Sequence, residues 1–400
     1  MSQDTLGNIR RAMDEQLARR HYPEGFPALP GVPTARFYDP GFAAAEMEHL
    51  WKKTWLMVGV ESELARDGSY FLFEQLGLSV IVRRDKDGGI GAFYNTCRHR
   101  ASALLQEPTG RVARFICPYH SWGYSLSGDL VSVPEAHDFA CLNKADFGLS
   151  PVRCDVWRGL IFINLSPEGG SLADFMAPVV GPMTGFPFEN LVVKDHYFIE
   201  MDCNWKLAYH NFIEGYHTTT VHPQSLAPYL QPQTLTVALL NHGHARITVA
   251  RRDNSSIYSS EAAIADEISP VFKELSNVLS TFPNCYAALD PGGFAFQNFW
   301  PVGEKKSVLE IRLVGWESSP SDEAYWNVMR TSFQAILAED LRLFPGMQHG
   351  VEKGALSHVL MGFRERALYW MEEEIDRRIG VKNIPEPLRV AQVLSGQVDH

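Results

Sequence analysis

The feature that most constrains this 400-residue chain is a pair of short clusters, Cys97-Arg98-His99 and Cys117-Pro118-Tyr119-His120, with 17 residues between them. Two thiols and two imidazoles can meet at one metal centre only if the loops that carry them lie side by side. The flanking sequence provides for that. Strand-like runs at Tyr70–Phe73, Ser79–Arg83, Ile90–Tyr94, Arg114–Ile116 and Trp122–Leu126 are short and rich in β-branched and aromatic residues. Asp85-Lys86-Asp87-Gly88-Gly89 and Ser127-Gly128-Asp129 separate them as turns. Each cluster therefore borders a loop between strands, and 48–166 reads as a small all-β domain. Thiolate plus imidazole suits either zinc or an iron–sulfur cluster in which two His replace two Cys on one iron. Structural zinc sites space paired ligands by about two to four residues, so a Cys-x-His pair is unusual for them.

The wider segments, Asn95-Thr96-Cys97-Arg98-His99-Arg100 and Cys117-Pro118-Tyr119-His120-Ser121-Trp122, closely resemble the two halves of a Rieske [2Fe–2S] site. The resemblance implies that Cys97 and Cys117 hold one iron and His99 and His120 the other. Neutral imidazoles in place of thiolates raise the potential of such a cluster. Neither loop carries the additional cysteine of respiratory Rieske subunits, so the likeness is to the oxygenase and ferredoxin branch.

A stand-alone ferredoxin would end after the β domain, but more than 200 residues follow here. Pro167-Glu168-Gly169-Gly170-Ser171 marks a composition break. Beyond it, strand-like stretches at 193–201 and 234–250 mix with helical patterns at 204–217, 260–280, 321–343 and 355–379. Ser319-Pro320-Ser321-Asp322 has helix-start chemistry. The second part is therefore α+β and spans 167–400. Residues 1–47 form an N-terminal helix, with Ile9, Met13 and Leu17 at helical spacing, and a Pro/Gly-rich arm from Tyr22 to Pro40.

Within the second part, Asn204-Trp205-Lys206 leads into Asn211-Phe212-Ile213-Glu214-Gly215-Tyr216-His217 and then His222-Pro223. Glu214 and His217, three apart, would share a helix face. His222 lies off that face unless the chain bends, which the β-branched run Thr218–Val221 and Pro223 favour. Two imidazoles and a carboxylate on one side of Fe(II) leave positions for O₂ and substrate. The segment resembles the iron-binding stretch of Rieske oxygenase α subunits, which makes His217 and His222 iron ligands. In that family a distant acidic pair followed by Gln-x-Gly supplies the carboxylate from its second acid. Glu339-Asp340 followed by Gln348-His349-Gly350 matches, giving Asp340. Glu339 would point about 100° away around a helix. Pro345-Gly346 interrupts what is continuous helix in the family, and His210 stands where many members have Glu. By the same resemblance Glu214, where Asp is commoner, is a bridge from a Rieske His of a neighbouring subunit to an iron-ligating His, and not itself a ligand.

The implied fold is α+β: a Rieske β-sandwich domain followed by a helix-grip catalytic domain with an antiparallel sheet. The implied activity is that of an oxidoreductase using O₂ and electrons to hydroxylate a small organic substrate. The first reading is ring dihydroxylation of an aromatic compound. The alternative is monooxygenation, by N- or O-demethylation or on a quaternary amine; a non-enzymatic Rieske electron carrier is more remote. The implied cofactors are the [2Fe–2S] cluster and a mononuclear Fe(II), and the implied assembly is a homotrimer. No Gly-x-Gly-x-x-Gly segment or plant-type ferredoxin cysteine array is present, so electrons are expected from a separate NAD(P)H-dependent reductase, with or without a ferredoxin. With 36 basic and 47 acidic side chains the net charge is −11. That argues against nucleic acid or an anionic membrane surface as partner. The N-terminus lacks a signal peptide's apolar core, so a cytoplasmic location with reduced cysteines is expected. Pocket surface is expected from 200–340, where Phe282, Tyr286, Phe294, Phe296, Phe299 and Trp300 cluster.

Overall fold

Short apolar runs separated by turn residues pair antiparallel throughout the segment from Leu56 to Asn164. The computed structural model describes residues 3–252, 268–317 and 323–399. The chain divides into two compact units, Lys52–Asp174 and Met1–Trp51 with Phe175–His400. The first unit is built on a seven-stranded sheet in the spatial order Leu56–Val60, Leu160–Asn164, Pro151–Trp157, Ile90–Tyr94, Val80–Arg84, Ser69–Phe73, Thr109–Arg111. A second sheet joins Phe115–Ile116, Gly123–Tyr124 and Leu130–Ser132. Phe115, Trp122, Tyr124 and Leu149 form a core that also encloses Cys97 and Cys117.

The second unit carries a seven-stranded antiparallel sheet in the order Leu191–Met201, Ser307–Trp316, Phe294–Pro301, Cys285–Leu289, Leu275–Thr281, Ala245–Arg251, Leu230–Leu239. The helix Glu323–Leu341 buries Trp326, Met329, Phe333, Leu337 and Asp340. Their spacing of three or four traces one helical face. Asp340 thus ends an otherwise apolar stripe. Among the described residues no helix is long and apolar enough to cross a membrane, and all six cysteines are free.

Several elements differ from the sequence-based expectation. The helix read over 204–217 stops at Phe212, because Gly215 and the following turn break it. The stretch 234–250 is two strands joined by a turn at Asn241–Gly243. Of the 260–280 helix, 260–267 lie outside the described residues, only Pro270–Glu274 is helical and Leu275–Thr281 is a fully buried strand. The helix start at 319–322 also lies outside the described residues. The last long helix is Arg366–Ile379, shorter than the 355–379 pattern. The break near Pro345 is real. One helix ends at Leu341 and another, Phe344–Glu352, begins with Pro345 in its first turn.

Candidate metal centres

The two Cys/His loops of the first unit adopt the same local conformation. The Cys97 N–H donates to the Ser102 carbonyl and Ala101 N–H to the Cys97 carbonyl, at 2.8 and 3.0 Å. Cys117 with Trp122, and Ser121 with Cys117, repeat both bonds at the same lengths. Ala101 and Ser121 each take φ 58°, unusual for residues other than glycine. Two matched turns thus present two thiols and two imidazoles to one point. Cys97 and Cys117 are buried, and the His99 and His120 ring centroids are 4.7 Å apart. His99 stacks on Trp122 at 4.8 Å.

The electrostatics suit a metal-sulfur group. Nδ1 of both His99 and His120 is buried without a hydrogen-bond partner, an arrangement that a metal would satisfy. Burial, then His120 and Arg100, holds His99 below its ordinary pKa, so it stays neutral and able to ligate. Burial opposes the Cys117 thiolate, but the backbone N–H groups of Tyr119 and His120 outweigh it and lower the thiol. The Tyr124 hydroxyl lies 3.3 Å from Cys97 Sγ. These residues fit a [2Fe–2S] cluster held by Cys97, His99, Cys117 and His120.

In the second unit, ligand atoms of His217, His222 and Asp340 all fall within 4.8 Å of one another. The helix Trp205–Phe212 ends, a loop carries Glu214 and His217, and the short helix Thr218–Val221 turns the chain so that His222 comes back to His217. Their ring centroids are 5.2 Å apart. At Gly215 a Cβ would lie 2.5 Å from Leu235 Cδ1, so a larger residue there would have to displace that side chain. Asp340 Oδ1 sits 3.1 Å from His222 Nε2 and 3.7 Å from His217 Nε2. Yet Oδ1 is buried and makes no aligned hydrogen bond. Three donor atoms converge without satisfying one another, as a divalent iron site needs.

Both imidazoles are oriented from behind. His217 Nδ1 is hydrogen-bonded to Glu214, which also accepts the backbone N–H of Tyr216 and His217. His222 Nδ1 lies 2.6 Å from Glu339 Oε2, which also accepts from Ser225. Carboxylates in this position fix the tautomer that turns Nε2 towards the metal. Burial disfavours charge on His222, but Asp340 and Glu339 outweigh it and raise its pKa. The role of Glu339 escaped sequence reasoning. Its direction on the helix was legible, but not that His222 would be waiting there.

His210 joins neither centre. Its Nε2 lies 3.2 Å from Glu372, within a buried group that also holds Lys206, Glu46, Arg36 and Asp376. Gln348 has a structural part. Its side chain accepts the Asn204 N–H at 2.8 Å and donates to the Phe37 carbonyl and to Glu352.

A cavity of about 100 Å³ borders His217, His222 and Asp340. Leu226, Leu235, Ile247, Val249, Val278 and Leu337 line it with Phe212, Tyr286 and Phe333. Asn211, Ser276 and Gln297 are polar members of the wall. Of the aromatic residues expected there, only Tyr286 lines it. Phe282, Phe294, Phe296, Phe299 and Trp300 are at most 1% exposed and belong to the core.

Comparison with known proteins agrees with this architecture. The model for the Rieske [2Fe–2S] domain matches 54–144, and the ring hydroxylating alpha subunit (catalytic domain) matches 188–381. The glycine betaine monooxygenase oxygenase subunit of Chromohalobacter salexigens is 33% identical over 226 residues, 56% of this chain and 48% of that protein. The carnitine monooxygenase oxygenase subunit of Escherichia coli K12 is 34% identical over 214 residues, 50% of this chain and 55% of that protein. The benzene 1,2-dioxygenase subunit alpha of Pseudomonas putida is 30% identical over 214 residues, 50% and 46%. The chain thus spans about half the length of the curated relatives it matches. Among solved structures, a quaternary ammonium Rieske monooxygenase superposes with TM-score 0.77 at 20% identity, over 90% of this chain and 99% of that one. Naphthalene 1,2-dioxygenase from Rhodococcus sp. gives 0.73 at 20%, over 96% and 100%. At that identity the likeness is one of fold. With both domain models matched in order and both metal-binding constellations assembled, this chain belongs to the Rieske non-haem iron oxygenase α-subunit family.

Proposed function

We propose that this chain is the oxygenase component of an enzyme that hydroxylates a small, uncharged, largely apolar organic molecule, with an aromatic ring as the preferred substrate. The observation that carries the reading is the cavity beside His217, His222 and Asp340. Its wall is mainly aliphatic, and among the described residues no Lys or Arg lines it. A carboxylate-bearing substrate would be left without a counter-ion in such a wall. The volume of about 100 Å³ is of the order of the roughly 150 Å³ apolar cavity that takes up benzene.

In this reading His217, His222 and Asp340 hold the mononuclear iron, and Cys97, His99, Cys117 and His120 hold the cluster. When bound, these groups supply O₂ activation and the electrons for it. The chain's own part is geometric and electrostatic. Glu214 and Glu339 orient the two imidazoles, and the aliphatic wall excludes water and presents the ring to the iron side. Glu214 further serves as the link to a Rieske His of a neighbouring subunit in a homotrimer, with electrons from a separate NAD(P)H-dependent reductase.

A second reading, monooxygenation of a quaternary amine, is favoured by the relatives that act on glycine betaine and carnitine. It ranks second here because the wall is richer in aliphatic than in aromatic side chains. A quaternary ammonium is held by aromatic faces, and the wall has three rings, Phe212, Tyr286 and Phe333, of which the first two pack edge to face at 5.4 Å. The deciding experiment is O₂ uptake with a surrogate reductase against small aromatics and betaines, with isotopic counting of inserted oxygens. Ring diols carrying two atoms from O₂ support the first reading. Turnover confined to betaines would replace it with the second.

A further inference from the structure

We propose that Gln297 determines specificity within the cavity, its amide oxygen accepting a hydrogen bond from a neutral N–H or O–H borne by the substrate ring. The proposal rests on the reading above and narrows its substrate class.

Gln297 lies on the interior strand Phe294–Pro301 and is 3% exposed. Side chains alternate along a strand, so it shares a face with Phe299, which packs on Phe212 at 5.0 Å beneath the cavity. Its neighbours Phe296 and Asn298 point the other way. Gln297 Oε1 is buried and has no hydrogen-bond partner. Tyr286, directly opposite it in the strand register, does not supply one.

A buried amide carbonyl without a donor is rare, because it loses its water without replacement. Here the vacant lone pairs belong to a residue of the cavity wall. The oxygen is closed to water as the side chain stands, so the empty protein bears the cost of the unmet carbonyl. A substrate in the cavity that donates to it, with a turn of the amide about its last bond, recovers that cost, and one without a donor leaves the carbonyl bare. A site built this way discriminates strongly against an analogue lacking the group, more strongly than an aliphatic wall can by shape alone. The surrounding Val278, Leu235 and Ile247 disfavour a charged donor, which leaves anilinic or phenolic groups as the class.

The test uses iron-loaded protein and three probes of one size: aniline and phenol, which donate, and toluene, which does not. Equilibrium dialysis gives dissociation constants without requiring turnover. The ratio of the toluene constant to the aniline or phenol constant should fall by about 10-fold to 100-fold in Gln297→Leu, and likewise in Gln297→Met, which keeps the unbranched shape. Circular dichroism and iron content check that each variant is folded and loaded. A ratio unchanged in a folded variant overturns the proposal, as does failure of both variants to fold, which would make Gln297 structural. Wild-type protein that binds none of the three overturns it together with the small-ring reading. Tight, discriminating binding without turnover when reductase is supplied would instead preserve the hydrogen bond and overturn the aromatic-substrate reading.

Discussion

Glu339 Oε2 meets His222 at Nδ1, 2.6 Å away, on the opposite side of the ring from the nitrogen that approaches Asp340. Two adjacent acids on one helix therefore flank one imidazole, Glu339 hydrogen-bonded behind it and Asp340 unbonded in front. Successive helical residues diverge by about 100°, and His222 lies between the two directions. In the proposed function the acidic pair divides the work: Asp340 would offer an oxygen to the iron, and Glu339 would set the tautomer.

That division predicts unequal consequences. Asp340→Ala, His217→Ala and His222→Ala should each abolish turnover and lower total iron by about one third, with the visible spectrum of the cluster unchanged. Glu339→Ala should weaken iron binding by about 10-fold to 100-fold while leaving activity recoverable with added Fe(II). Iron titration followed by O₂ uptake separates the two. An active Asp340→Ala beside a Glu339→Ala that iron cannot rescue would invert the assignment.

The paired Cys/His loops make a spectroscopic prediction. Oxidised protein should show broad visible absorption, and dithionite should produce an EPR signal of low average g. Cys97→Ser or His120→Ala should eliminate both, because each removes a ligand from a different iron. Survival of the signal in either variant contradicts the ligand set.

Glu214 makes a kinetic prediction. Its carboxylate accepts from His217 Nδ1 and from two backbone N–H groups, which leaves one of about four lone-pair sites for the proposed Rieske His. Glu214→Gln should leave both metal groups bound, yet slow single-turnover oxidation of the cluster by on the order of 10-fold to 100-fold. Stopped-flow absorbance on samples of measured iron content reads this. Wild-type oxidation rates would remove Glu214 from electron transfer, and loss of the mononuclear iron would make it a ligand.

The fourth prediction concerns the buried ion group. Arg36 is fully buried between Glu372 and Asp376, and Lys206 pairs with Glu46 at 2.7 Å. Arg36→Met should destabilise the fold by about 3–5 kcal/mol, since it strands two buried carboxylates. Burial pushes Glu372 up, but Arg36, aided by His210 and Lys206, holds it down to about 2 from 4.5. A carboxyl depressed in the fold adds stability above its unfolded value and loses it as pH falls through the folded one. The stability gap between wild type and Glu372→Gln should therefore be largest above pH ~4.5 and shrink towards pH ~2. Urea unfolding across that range checks the sign, and a gap that widens in acid would be incompatible with it. Burial raises Asp376 and the Glu372 charge raises it further, so Asp376 opposes this gap, and the comparison is made with Asp376→Asn in both proteins.

Much of the site was legible because its determinants are local. Cys97, His99, Cys117 and His120 sit in two matched turns, and a loop of five residues encodes its own hydrogen bonds and backbone angles. Asp340 was legible for a related reason: Trp326, Met329, Phe333 and Leu337 write a helical stripe into the sequence, and Asp340 falls on it while Glu339 does not. Sequence also marked the bend between His217 and His222, through β-branched residues and Pro223, although Glu214 proved to act from a loop and not from a helix face. What only the tertiary structure decided were pairings across long separations. Leu275–Thr281 places its apolar residues at 275, 278 and 279, the spacing of a helix face, and only its neighbours in the sheet make it a strand. The partner of His222 is 117 residues away at Glu339, and that of His210 lies on the last long helix at Glu372. Phe294, Phe296 and Trp300 are indistinguishable by type from cavity residues, and strand register sends them into the core while turning Gln297 towards the substrate space. Local sequence determines which conformations and ligand types are available; only the packing of distant segments determines which groups meet.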